Sequence, residues 1–184
     1  ATTFGGVNLC LLLFQECTEL SQAMVTDMLM DYSEKRIRRF ISELPDGDYT
    51  GIDWLDDDGY SDESIKLQVN IHIQGDGMKV DFRGSARQVR GNINCPWSCS
   101  EGAVFYTIVG MIDPYMPINS GCFYRIEVIR DEGLITCPVL PGAVTARSRT
   151  MTKITEAMLR AMAPIVLDRV VSGSHGQACT CNFT

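Results

Sequence analysis

Three arginines recur at short intervals in "FRGSARQVRGNINCPW": Arg83, Arg87 and Arg90, followed by Asn92, Asn94 and Cys95. Guanidinium forks suit phosphate and carboxylate, and Pro96 has the fixed φ that favours the first position of a helix, whose unpaired amides add partial positive charge. The segment is therefore a candidate anion site with Arg83, Arg87, Arg90, Asn92 and Asn94 as donors. The competing reading is that these arginines pair with surplus surface carboxylates. Cys95, at the helix start and near Arg90, is a candidate nucleophile, because both features lower a thiol pKa; the alternative is a packed, inert thiol. Arg147, Arg149 and Lys153 repeat the arrangement around a second helix start, where Ser148 or Thr150 would serve as the cap. Of the two histidines, His72 falls on a predicted strand, and His175 in "SGSHGQ" is a candidate general base.

The acidic stretch "DWLDDDGYSDES" invites comparison with a calcium loop. Placing Gly59 at the sixth position of the twelve-residue pattern puts Asp56 and Asp58 correctly at the third and fifth. It also leaves Trp54 at the first position and Ile65 at the twelfth, where carboxylates are essential. A strand pattern, "SIKLQVNIHI", follows in place of a helix. The segment is read as a solvated acidic connection. The eight cysteines, at 10, 17, 95, 99, 122, 137, 179 and 181, do not show the spacing of a zinc ribbon or finger and are read as reduced thiols. No metal site is expected.

These groups must be positioned by a chain of 184 residues, long enough for one sizeable domain or two small ones. Hydrophobic residues make up 45% and charged residues 21%, the balance of a globular protein, and a net charge of -7 argues against a nucleic-acid surface. The run "LCLLLF" is too short to span a bilayer and has no basic residues before it, so a cytoplasmic, non-membrane protein is expected. Leu20, Met24, Met28, Tyr32, Phe40, Ile41 and Leu44 recur at helical spacing and predict a helix over about 18–44. Leu67, Val69, Ile71 and Ile73 alternate with polar residues, and "GDG" then "MKVDF" complete a hairpin over about 64–83. A buried helix is predicted over about 96–112, a second pair of strands over about 122–139, and a last helix over about 150–171. The fold class is α+β, antiparallel hairpins packed with three main helices. Residues 1–184 read as a single domain or a contiguous fragment.

Taken together, "MDYSEKRIRRFISELPDGDYTGIDWLDDDG", "VDFRGSARQVRGNINCP", "DPYMPINSGCFYRIEVI" and the helix after "PGAVTARSRT" resemble the hydantoinase B family from about residue 24 onward. That family comprises B subunits of ATP-dependent hydantoinases, the matching part of 5-oxoprolinase, and related subunits of acetone and acetophenone carboxylases. The resemblance implies part of a larger hydrolase subunit that opens a cyclic amide of hydantoin or 5-oxoproline type. The alternatives it leaves are a fragment of a ketone carboxylase subunit, or a non-catalytic scaffold or interface domain. It also implies a hetero-oligomer with a hydantoinase A-like subunit that carries the ATP site, and a divalent metal in the full complex held by an amino-terminal region outside this sequence. No cofactor is expected on these residues alone.

Overall fold

The computed structural model describes residues 19–112 and 116–170. The first helix, α1 (Glu19–Ser42), ends where Pro45 and Asp46-Gly47 forbid its continuation. Strands β1 (Gly47–Leu55), β2 (Ile65–Gln74) and β3 (Gly77–Asp81) follow, then helix α2 (Trp97–Ile112) and a 3₁₀ turn at Ser120–Phe123. The short strand β4 (Ile126–Val128) and helix α3 (Arg147–Met162) complete the order. The four strands form one sheet in the order β1-β2-β3-β4, antiparallel except for the parallel pairing of β3 with β4. Among the described residues no helix is long and apolar enough to cross a membrane.

Alternation in β2 turns Leu67, Val69, Ile71 and Ile73 to one face, where each is essentially inaccessible to water. Burying a side chain of that size stabilises the fold by about 1.5–3 kcal/mol. The helices supply the opposing layer: Ile154, Ala157, Met158, Ala161 and Met162 from α3, Val104 and Ile108 from α2, Ile37 and Ile41 from α1. The other sheet face is polar, with Lys66, Gln68, Asn70, His72 and Gln74 of β2 pointing away from the core.

Three elements depart from the sequence expectation. The stretch read as an acidic connection, Asp53–Ser64, begins with the last three residues of β1, an unexpected strand whose inward positions are Gly51, Asp53 and Leu55 while Ile52 and Trp54 point outward. The usual alternation is inverted there by α3: a β-carbon on Gly51 would lie 1.9 Å from the Ala157 carbonyl oxygen, so the helix backbone occupies the space a side chain would need. Asp53 is tolerated inside because Lys153 Nζ stands 3.2 Å and Arg160 Nη2 3.6 Å from its carboxylate.

The predicted strand pair over 122–139 is the second departure. Residues 120–123 form the 3₁₀ turn, β4 joins β3 rather than a hairpin partner, and "LITCPV" makes only isolated bridges, Arg87 with Leu134 and Leu134 with Cys137. Finally, α3 begins at Arg147 and stops at Met162, just before Pro164.

Because the approach of α3 to β1 leaves no room for a methyl group, Gly51→Ala should destabilise the chain by about 3 kcal/mol, the upper end for overpacking. Urea unfolding followed by circular dichroism measures this. A midpoint equal to that of the parent would show that the two elements separate without cost.

Candidate functional site

The two basic segments singled out in the sequence lie side by side. Loop 86–95 is stitched to the segment that opens α3 at three points. The Asn92 carbonyl accepts from the Ala146 N–H at 2.9 Å, the Ile93 carbonyl accepts from the Thr150 hydroxyl, and the Asn94 carboxamide donates to the Ala143 carbonyl at 2.9 Å. Asn94 is fully buried. Its Oδ1 accepts from the Val89 N–H at 2.8 Å, and its Nδ2 also serves the Val89 and Gly91 carbonyls at 2.9 and 3.0 Å. Every hydrogen-bonding group on that side chain is used in shaping the loop, so Asn94 is not a donor to a ligand here.

The loop is held on its other side by the acidic turn. Asp58 Oδ1 accepts from the backbone N–H groups of Tyr60 and Ser61, both at 2.9 Å, and Oδ2 accepts from the Gly91 N–H at 3.1 Å. Hydrogen bonds from Tyr60, then Ser61 and Gly91, hold the Asp58 carboxyl below its ordinary range. Gly91 sits so close that a β-carbon would fall 2.1 Å from the Asp58 carbonyl oxygen. Arg90 lies over the Tyr60 ring, 4.5 Å from its centroid. The acidic stretch is thus a latch on the arginine loop.

The three arginines meet different neighbours. Arg83 pairs with Asp81 at 2.7 Å on the polar sheet face, where Asn70 also donates to Asp81 at 2.8 Å. For Arg83 the ion-pair reading holds. Arg87 and Arg90 are exposed, and no carboxylate among the described residues pairs with either. Arg87 runs beside Gly133, where a β-carbon would lie 3.2 Å from Nη1. Asn92 is exposed next to the start of α3, whose cap residue, Ala146, offers no side-chain acceptor.

Neither Ser148 nor Thr150 caps that helix, since both lie inside its first turn and the Thr150 hydroxyl is spent on Ile93. Lys153 points inward to Asp53. Arg87, Arg90 and Asn92 are exposed on the loop, and Arg147 and Arg149 are exposed in the first turn of α3.

Cys95 behaves as packing. It is fully buried, and burial pushes its thiol up to about 11, the reverse of what a nucleophile at neutral pH requires; Ser100 and Arg147 offset this only in part. Its backbone N–H is held by the Ile135 carbonyl at 2.8 Å. His175 lies outside the described residues, as do Cys10, Cys17, Cys179 and Cys181. His72 Nδ1 stands 2.7 Å from Asp48 Oδ1 in an open depression of about 700 Å³ on the polar sheet face, which Thr50, Asn70, Lys79, Asp81 and Arg83 also line. Sequence reading did not single out this face, because its cross-strand pairs, Asp48 with His72 and Asn70 with Asp81, exist only once register is known. Among the described residues, no group of three or more His, Cys, Asp or Glu side chains is placed to hold a metal ion.

Two outcomes test this arrangement. Burial alone would raise the Asp81 carboxyl, but hydrogen bonds from Arg83 and Asn70 and the Arg83 charge outweigh it and hold the group below its ordinary value of 3.8. A depressed folded pKa contributes stability that is present above the unfolded value and lost as pH falls through the folded one. Asp81→Asn should therefore lower Tm at neutral pH and flatten the decline in Tm below about pH 4. Parallel declines for parent and variant would remove Asp81 as a contributor. In the native protein at pH 8, Cys95 should resist alkylation while the half-buried Cys99 reacts faster than it does, as read by peptide mass spectrometry.

Comparison with known proteins places the chain. The family model described as Hydantoinase B/oxoprolinase matches residues 5–184. A putative D-/L-hydantoinase B-type subunit from Pseudomonas sp. (strain NS671) is 29% identical over 161 residues, covering 80% of this chain and 27% of that protein. The 5-oxoprolinase PfmaA of Pestalotiopsis fici is 30% identical over 133 residues, 70% of this chain and 10% of that one. The crystal structure of an ATP-dependent caprolactamase from Pseudomonas jessenii superposes with a TM-score of 0.78 at 22% identity, over 91% of this chain and 29% of that chain, a likeness of fold. An acetone carboxylase in a nucleotide-free structure shares the fold more loosely, with a TM-score of 0.65 at 15% identity over 78% of this chain and 21% of that chain. The sequence given spans about a quarter of the hydantoinase relative's length and a tenth of the 5-oxoprolinase's. It belongs to the hydantoinase B/oxoprolinase family.

Proposed function

We propose that these residues are part of the B-type subunit of an ATP-dependent amidohydrolase that opens a cyclic amide of hydantoin or 5-oxoproline type. The family match along nearly the whole chain, with relatives named for hydantoinase and 5-oxoprolinase, carries this reading. In the assembly ATP is bound by an A-type partner, which activates the amide by phosphoryl transfer. A divalent metal of the full complex would be held elsewhere, because the described residues do not bring together a ligand set for one.

Loop 86–95 and the first turn of α3 contribute charge. A phosphorylated ring, or the tetrahedral species that follows water addition, carries negative oxygen. Arg87 and Arg90, having no carboxylate of their own among the described residues, can turn their forks to it. The N–H groups at the start of α3 add partial positive charge beside them. The latch from Asp58 and the buried Asn94 amide prepay the ordering of the loop, so these donors lose little entropy when an anion arrives.

In the full-length subunit assembled with its partner, Arg87→Gln and Arg90→Gln should each lower ATP-dependent ring opening by roughly ten- to a hundredfold, the worth of one charge-assisted hydrogen bond in a sequestered site. Tm should move little, since exposed guanidiniums contribute under about 1 kcal/mol to folding. Near-normal turnover in both variants would reject the anion role. Bicarbonate-dependent consumption of a ketone, without ring opening, would assign the assembly to the carboxylase branch.

A further inference from the structure

Tyr60 stands 65% exposed on the acidic turn, with the Arg90 guanidinium carbon 4.5 Å from the centre of its ring. The turn holds it there. Asp57 Oδ1 accepts from the Gly59 N–H at 2.8 Å, Asp58 Oδ1 accepts from the Tyr60 N–H at 2.9 Å, and Gly59 has a φ of 79°, which glycine adopts at no steric cost. The second oxygen of Asp58 accepts from the N–H of Gly91, the residue after Arg90, at 3.1 Å. Asp58, Tyr60, Arg90 and Gly91 therefore close a circuit of contacts in which one carboxylate fixes both the aromatic face and the backbone that carries the cation.

Several arginines of this chain settle on carboxylates: Arg39, Arg83, Arg125 and Arg130 each meet one at 2.7–3.0 Å. Arg90 borders a turn that carries Asp56, Asp57 and Asp58, yet it forms an ion pair with no carboxylate among the described residues. Asp57 and Asp58 turn their oxygens to backbone amides instead. The difference matters for charge. A carboxylate would hold the guanidinium and cancel it, whereas an aromatic face attracts the cation through the ring quadrupole and leaves it uncancelled.

We propose that Tyr60 is the positioning residue of Arg90: its ring fixes where the guanidinium stands and leaves the charge for the negative oxygen of the activated amide. The inference rests on the reading that Arg90 meets that oxygen. Tyr60 then acts only through Arg90, by its ring and without its hydroxyl. A long arginine chain already held near its tip loses less freedom when the anion arrives.

The test is a double-mutant cycle in the full-length subunit assembled with its partner. Tyr60→Leu should lower kcat/KM for ATP-dependent ring opening roughly two- to fivefold, the size of an exposed cation–π contact, while Tyr60→Phe, which keeps the ring, should match the parent. In the Arg90→Gln background, Tyr60→Leu should lower it no further, because no guanidinium is left to place. An equal loss in both backgrounds would show that Tyr60 acts on something other than Arg90 and overturns the inference. Activity in Tyr60→Phe as low as in Tyr60→Leu does so too, by assigning the effect to the hydroxyl. A readout apart from activity is the NMR ring-current shift of the Arg90 δ-methylene protons, upfield in the parent and in Tyr60→Phe and lost in Tyr60→Leu. Its absence from the parent removes the contact on which the inference stands. Full activity in Tyr60→Leu beside an impaired Arg90→Gln overturns the inference and leaves the functional reading standing, whereas full activity in both overturns the two together.

Discussion

The carboxamide of Asn94 is the constraint on which the site depends. A fully buried amide must find partners for its oxygen and both N–H groups or cost several kcal/mol, and here they come from Val89, Gly91 and Ala143. Those partners lie on two chain segments about fifty residues apart, so satisfying one side chain fixes where the loop and the start of α3 stand relative to each other. The Asp58 latch and the Arg90 stack on Tyr60 then act on a loop whose path is already set. Arginines on an untethered loop would drift. On this one they project from a rigid edge.

Much of the architecture was legible because it follows hydrophobic period. The strict alternation of β2 and the apolar run of α2 encode burial directly, whereas the 3.6-residue repeat of α1 marks the helix but not its burial, since Met24, Met28 and Tyr32 are exposed while Phe40, Ile41 and Leu44 are buried. What could not be read is what depends on a neighbour. Strand β1 escapes detection since its inward residues are a glycine, made necessary by the helix crossing it, and an aspartate, made tolerable by Lys153 and Arg160 from that same helix. The apolar pattern of "LITCPV" reads as a strand, yet without a continuous partner its backbone makes bridges and turns.

The candidate site shows the same division. Residue types pointed to the arginine loop and to the start of α3 as separate features, and nothing local reveals that three hydrogen bonds join them. Cys95 looked activated because Pro96 and Arg90 are near in sequence, but a thiol pKa is set by solvent, and full burial outweighs a helix end. Arg83 looked equivalent to Arg87 and Arg90, yet its place beside the end of β3 brings it to Asp81. The resemblance to hydantoinase B subunits, by contrast, rests on ordered motifs that need no folding to be recognised, and it agrees with the family match.

The parallel junction of β3 with β4 has a bearing on how the chain acquires its structure. The β2–β3 hairpin closes over two residues and can form early, whereas β4 reaches its place only after residues 82–125 have been laid down and brought back across the sheet. Until then β3 presents an open edge with exposed backbone amides, the kind of surface on which another nascent chain can add a strand. A three-residue β4 closes that edge with a minimum of pairing, and the Lys79–Glu127 ion pair at 2.9 Å helps to set its register. The arrival of this last short strand is therefore the step that withdraws the β3 edge from pairing with another chain.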